Sequence, residues 1–546
     1  MKSLAITNEA KIPPWFEDRS FQEGLTRWNY FPNQKDAASE LPPSICTKRF
    51  TPEIASLLAI EKSGSERGIQ GFDVTEYRAT RYNNIPRSLG LIHPLAYSKI
   101  FSALASHKTD IEDAMRDENS QIQMGYHLDG RIFIMNYEDQ DKKSETVINQ
   151  CFGKKFLAHS DISNCFGSVY THSLEWAEFG LEQAKANLTI KPPIKSWSAK
   201  LDSALQLSKR KETIGIPIGP ASSSIAVEII LASVDKNLRE DFNFVRYIDD
   251  YTAFCSSHDE AQRFIQSLDK EISKFRLTLS LSKTSIVELP EPLEDNWIAQ
   301  LMTSFPIMEL EKEKLTIPNT RDAIRFLDYA VQLNNRTPDA SVIKYATSAV
   351  AHRVTGHTAY RVFQYILSLC WHYPVLLPYL EKIDLEITEF ITDDIIEKLN
   401  AIIKVNAAHR RSDGICWCLY YLERLESSPS DESADEIIKC RDSVSITMLS
   451  RFDEHIEKVK LYANELISKH IYERDQNWLL LYQLYYLGMV ANAYPDENTF
   501  ELLKFHEVDF FSNTEESKAE NYCQIAYHPF ADLENIVPYT EWLKTL

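Results

Sequence analysis

The chain has 546 residues, 44% of them hydrophobic and 25% charged, which is ordinary for a soluble globular protein and enough for two or more domains with full-sized cores. Its formal net charge of −20 is the opposite of the basic footprint of most nucleic-acid binders, and no run approaches the ~18 uninterrupted apolar residues of a membrane span. The nine cysteines are scattered without C-x-x-C pairs, which argues against a disulfide framework and against a structural zinc site.

The opening stretch "MKSLAITNEAKIPPWFEDRS" lacks a continuous apolar core before a small-residue cleavage site, so a cytoplasmic location is expected. Further along, "GRIFIMNY" reads as a strand. "KKFLAHSDISNCFGSVYTHSLEWA" carries Asp161 after a short apolar run and Phe166 five residues later. "GIPIGPASSSIAVEIILASVD" is a Gly/Pro-rich loop, Gly215 to Pro220, that runs into a long helix ending at Asp235. "FNFVRYIDDYTAFCSS" reads as a half-buried hairpin with Asp249 and Asp250 side by side. Like charges in such a setting need a counter-charge or a cation, unless the pair is solvated at a turn tip. "DEAQRFIQSLDKEISKF" has helical spacing, and "KFRLTLSLSKTSIVEL" leads through Lys283 into a strand. Strands alternating with helices imply an α+β domain.

The segment "LPEPLEDNW", Leu289 to Trp297, is the best linker, with two prolines and three acids. It places a boundary near residue 300 and divides the chain into 1–300 and 301–546. The second part holds 24 Lys+Arg against 38 Asp+Glu, a balance of −14. Glycine is scarce there, and "TRDAIRFLDYAVQL", "SVIKYATSAVAHRV", "TAYRVFQYILSLCWHY", "TDDIIEKLNAIIKVNAAHRR", "GICWCLYYLERL" and "NWLLLYQLYYLGMV" follow one another at three- and four-residue apolar spacing. "TRDA" and "TDDI" offer N-caps. The pattern suggests an α-solenoid or helical-repeat array, with a compact bundle as the alternative.

Taken together, the Asp161 stretch, the Gly215–Pro220 loop with its helix, "FVRYIDD" and the Lys283 stretch resemble motifs A, B, C and D of reverse transcriptases. "PIGPASSSIAVEIILASVD" followed by "FVRYIDD" is similar to the retron and group II intron type. The resemblance implies fingers and palm over residues 1–300, with Asp161, Asp249 and Asp250 holding two Mg²⁺ ions for nucleotidyl transfer. It makes Phe166 the steric gate against ribonucleotides, and Lys283 the acid for the pyrophosphate leaving group. Gly219 lies in the nucleotide-binding loop. Arg78, Arg81 and Arg87, in "YRATRYNNIPRSLGLIHP", become candidates for triphosphate contacts, since Arg suits bidentate phosphate recognition.

Two features depart from templated enzymes of this type. The usual motif B glutamine, which contacts the incoming nucleotide, is replaced by Ile218. No basic thumb follows motif D; an acidic helical half does, a poor electrostatic match to a duplex. Both departures and the length are similar to the AbiK-like abortive-infection reverse transcriptases, a prophage-type family. In that family a reverse-transcriptase-like fingers and palm precede an all-α HEAT-like domain, and DNA is made without a template. The resemblance implies dNTP substrates, a single-stranded DNA product attached covalently to a priming tyrosine, and homo-oligomers without membrane attachment. Of the 26 tyrosines, Tyr30 in "RWNYFP" is the candidate primer, from an N-terminal segment that folds back to the palm. The competing expectations are a conventional RNA-templated reverse transcriptase and a catalytically idle helical scaffold.

Overall fold

A computed structural model of the protein describes residues 14–32, 40–61, 67–81, 84–125, 132–135, 140–191, 195–311, 314–337, 341–383 and 393–511. Strands β1 (Val74–Thr80) and β2 (Pro86–Ile92) pair as an antiparallel ribbon, and β3 (Ile122–Met124) with β4 (Phe133–Met135) as a shorter one. Strands β5 (Phe156–Asp161), β6 (Phe244–Tyr247), β7 (Asp250–Cys255) and β8 (Ser285–Glu288) make an antiparallel sheet of order β6–β7–β5–β8. Period-2 alternation gives this sheet two unlike faces. Ala158, Tyr251, Ala253 and Cys255 enter the main core, whereas Leu157, Val245 and Phe254 form a small cluster of their own on the other side.

Two helices cover the core face. His258–Lys274 starts at Ser257, whose side chain accepts from Glu260 N, and buries Ala261, Phe264, Leu268 and Ile272 along one stripe against β5 and β7. The helix Ala221–Leu238 is buried on nearly all sides, Glu228 and Asp235 included.

Past the sheet, a short hairpin of β9 (Glu309–Glu311) and β10 (Lys314–Thr316) appears, too brief for periodicity to reveal. Helices then follow one another, among them Thr320–Arg336, Val342–Ala351, Gly356–Cys370, Asp393–Ala408, Ser412–Arg424 and Trp478–Tyr486, one for each segment expected to be helical. Each packs chiefly on near neighbours in the chain. The first is capped by Asn319, whose side chain accepts from Arg321 N at 2.9 Å, so Thr320 is its first residue rather than its cap. The cap expected in "TDDI" lies outside the described residues. Among the described residues no helix is long and apolar enough to cross a membrane.

The helical half is not tethered by a linker alone. Its helix Asn296–Met302 begins inside the stretch read as linker, and one buried apolar cluster runs from Phe21 to Phe511. Ser412–Arg424 buries eleven consecutive residues, Ser412 to Leu422, because it lies against β1 as well as against other helices. Polar contacts lock the same face. Arg67, 1% exposed, donates to both carboxylate oxygens of Asp475 at 2.5 and 2.7 Å and to Glu497 at 2.7 Å. Trp478 Nε1 donates to Leu91 O at 2.9 Å, and Asp413 accepts from Thr80 N at 2.7 Å.

Breaking a buried pair leaves a desolvated charge behind, so Arg67→Ala is expected to cost about 3–5 kcal/mol of unfolding free energy. Lys439→Ala, which removes an exposed pair with Glu436, is expected to cost at most about 1 kcal/mol. Urea unfolding followed by circular dichroism distinguishes the two.

Candidate active site

The two aspartates owe their position to a tight turn. Tyr247 pairs with Asp250 across β6 and β7, which leaves Ile248 and Asp249 as a two-residue loop. Ile248 has φ +57°, left-handed for a β-branched side chain, a conformation that costs on the order of 1–3 kcal/mol. Arg246 holds it there: Nη1 donates to Ile248 O at 3.0 Å. The same guanidinium takes Glu228 through two hydrogen bonds of 2.8 and 2.9 Å and Asp235 through one of 2.6 Å, and the Tyr251 hydroxyl donates to Asp235 at 2.9 Å. All four side chains are buried. The two acids keep Arg246 charged, while burial pushes the Asp235 carboxyl up against the pull of Arg246. The sequence marks Asp235 as the end of its helix but gives no prominence to Glu228. The available signal was its spacing, seven residues before Asp235 and therefore on the same helix face.

Asp161 ends β5 directly opposite Asp250 in register, and Asp249 O accepts from Ile162 N at 3.1 Å. This brings one carboxylate oxygen from each of Asp161, Asp249 and Asp250 within 4.8 Å of the others. Lys283 Nζ donates to Asp161 Oδ2 at 2.7 Å, and this bond is the main cause that raises the lysine's pKa. Asp249 is pushed up by burial and then by the charge of Asp161. Asp250 is pushed up to about 7, first by removal from water, then by a hydrogen bond with Asp161 and the charge of Asp249. Three crowded carboxylates, two of them pushed up, are an all-oxygen donor set suited to a hard divalent cation. The residues present therefore fit Mg²⁺.

Other expected residues divide. Phe166 is half-buried, and its carbonyl accepts from Ile216 N at 3.0 Å, which ties motif A to the motif B loop. The neighbouring Cys165 thiol is pushed up to about 12 by burial and then by Asp249. Gly219 has φ +125°, and a Cβ there would meet Pro32 Cγ at 2.8 Å, so only glycine fits. Ile218 O accepts from Gly90 N at 2.8 Å, docking the loop on β2.

The arginines do not act as a set. Burial lowers the pKa of Arg87 against the pull of Glu40 and Asp249, Arg87 in turn favours the ionised form of Asp249, and the buried Arg87 Nε has no hydrogen-bond partner among the described residues. Arg81 is exposed and near enough to depress Arg87. Arg78 faces the other way: Ala79 pairs with Arg87 and Arg78 with Ser88, so alternation places Arg78 on the opposite face of the ribbon. It is paired with Glu76 at 2.8 Å.

Tyr30 is the clearest correction. Its ring is wholly buried and stacked on Tyr97 at 4.0 Å, and its hydroxyl donates to Ile92 O at 2.5 Å. Core packing, not access to the palm, decides its place. On the sheet face away from the helices, a groove of about 900 Å³ lined by Leu157, Tyr247, Phe254 and Leu289 ends at Asp250.

The raised pKa of Asp250 has a definite sign. Its contribution to stability is complete below the unfolded value near 4 and is lost as pH rises through about 7. The metal-free protein is therefore expected to gain more melting temperature from Mg²⁺ at about pH 8 than at about pH 5.5. Asp250→Asn is expected to raise the metal-free melting temperature at the higher pH and to shrink the Mg²⁺ increment, as read by differential scanning calorimetry.

Comparison with known proteins bears on the same region. Residues 102–331 match the family model described as reverse transcriptase (RNA-dependent DNA polymerase). No curated protein matches the chain. Solved structures that match include telomerase from Candida albicans in complex with a TWJ fragment of telomeric RNA, at 13% identity and TM-score 0.26, covering 76% of this chain and 68% of that one. Telomerase from Candida tropicalis in the same kind of complex matches at 12% and 0.30, with the same coverage. Apo telomerase from Candida tropicalis truncated from the C-terminal domain matches at 12% and 0.29, covering 44% of this chain and 56% of that one. The assignment rests on the family match and on the converging motif residues: over residues 102–331 the chain carries a reverse transcriptase domain, of the RNA-directed DNA polymerase type of nucleotidyltransferase.

Proposed function

We propose that the protein is a Mg²⁺-dependent DNA polymerase of abortive infection that makes single-stranded DNA from dNTPs without a template, primed on one of its own tyrosines. The observation that carries nucleotidyl transfer is the convergence of the Asp161, Asp249 and Asp250 oxygens with Lys283 on their rim. Two features support untemplated synthesis. Ile218 offers no polar side chain where templated relatives place a glutamine. The helical half, which we read as HEAT-like over 301–546, brings a balance of −14 where a duplex would need a basic cradle. The resemblance in the palm motifs supports protein priming, a covalently attached product and a homo-oligomer in the cytoplasm.

Asp161, Asp249 and Asp250 would hold the ions, which neutralise charge at the attacking hydroxyl and at the leaving pyrophosphate. Lys283, kept protonated by the aspartates, stands ready to deliver its Nζ proton to the pyrophosphate. Arg87 meets the triphosphate from the fingers, and Phe166 closes the space beneath the sugar. The primer hydroxyl belongs to a tyrosine other than Tyr30 and Tyr251, both of which the core retains.

Purified protein incubated with Mg²⁺ and labelled dNTPs, without added nucleic acid, is expected to carry label on a denaturing gel. The label should survive RNase pretreatment, vanish on proteolysis, and fail to form in Asp249→Asn/Asp250→Asn. Labelling only with added template and primer would establish the conventional templated enzyme instead. Phe166→Ala is expected to narrow the preference for dNTPs over rNTPs by about 10- to 100-fold, measured as the ratio of kcat/KM values.

A further inference from the structure

A second group of ligating side chains lies outside the palm carboxylates. His172 immediately precedes the helix Ser173–Phe179, Glu175 sits in its first turn, and Asp202 lies in the helix Trp197–Leu207. One ligating atom from each falls within 4.8 Å of the others. Asp202 is 4% exposed, and its Oδ2 is 2.6 Å from His172 Nδ1. Gln206 Nε2 donates to the other oxygen, Oδ1, at 2.7 Å, which fixes the carboxylate and leaves Oδ2 turned toward the histidine.

We propose that His172, Glu175 and Asp202 form a second cation site, for a transition-metal dication with Zn²⁺ as the first choice, that clamps these two helices together. Two carboxylates and a neutral imidazole exactly offset a double positive charge. The imidazole nitrogen separates this set from the all-oxygen palm set, because mixed nitrogen and oxygen donors favour Zn²⁺ over Mg²⁺. Bonds of ~2.0–2.2 Å to Nδ1 and Oδ2 require that pair to open by under ~1 Å. Ligation through Nδ1 requires the proton to sit on Nε2, by a tautomer shift of the neutral ring or by loss of the Nδ1 proton from an imidazolium to solvent. Gln206 acts as the outer partner that orients a ligand.

The position gives the ion a consequence. Just before the site, Tyr170 bridges to Ile214 and Thr171 N donates to Thr213 O at 2.8 Å, while Gly215 N donates to Val169 O at 2.7 Å. A clamp here braces the base of the Gly215–Pro220 loop without touching the palm aspartates.

The test uses the full chain with Asp161→Asn and Asp249→Asn, which removes palm ligands, dialysed against Zn²⁺ and analysed for bound metal. One Zn²⁺ per chain is expected. Added His172→Gln should abolish it, and added Glu175→Gln should weaken it by about tenfold or more. Glu175→Gln leaves the His172–Asp202 bond in place, so it decides the matter even if His172→Gln fails to fold. With Co²⁺ as the probe, d–d absorption without a thiolate charge-transfer band is expected. No uptake, uptake indifferent to Glu175→Gln, or a thiolate band that places the ion on cysteine overturns the proposal.

Discussion

The buried guanidinium of Arg246 is the contact on which the palm depends. It joins the helix Ala221–Leu238 to β6 through Glu228 and Asp235, and it reaches past the strand to the carbonyl of Ile248. That last bond holds a left-handed isoleucine that the turn would otherwise relax. An arginine is suited to this because its planar fork can serve two acids and a carbonyl at once, and because it stays charged when buried. A lysine offers one compact charge and could not span the same partners. With the turn held, Asp249 and Asp250 stand against Asp161.

The remaining parts are arranged around that fixed floor. The motif B loop is held from three directions: by Phe166 and Val169 of motif A, by Gly90 of β2, and by Asn29, whose carbonyl accepts from Ala221 N at 3.0 Å. The β1–β2 ribbon is backed in turn by the helical half through Trp478 on Leu91 and Asp413 on Thr80, with Arg67 beside it on Asp475 and Glu497. A ribbon of two strands is marginal alone. Backed by buried helices, it can present Arg87 toward the palm at a fixed distance. The acidic half thus braces the ribbon mechanically.

The resemblance located the carboxylates because metal chemistry demands particular residues in a particular order, and little else satisfies it. It could not sort the three arginines. Arg78 and Arg87 look alike as text, yet the register of β1 on β2 sends them to opposite faces. The place of Tyr30 was hidden for a related reason: the segment does fold back beside the motif B loop, but an aromatic core formed with Tyr97, Phe31 and Phe50 claims its ring. Glu228 escaped notice because an acid among apolar helix residues reads as a blemish until its partner, 18 residues later, is seen in space.

What the sequence by itself determined was local and chemical: the α+β order of the first part, the run of amphipathic helices in the second, the hairpin, and the identity of the groups that can carry nucleotidyl transfer. These follow from periodicity, turn propensity and the narrow chemistry of metal-assisted phosphoryl transfer, all of which act over short spans of chain. Tertiary structure alone decided which arginine faces the palm, which hydroxyls are free, that His172 and Glu175 meet Asp202, and that the two halves share one core. The arginines are sorted by the register of β1 on β2, and the rest by contacts between residues from 27 to over 400 positions apart, where packing, not local preference, sets the outcome.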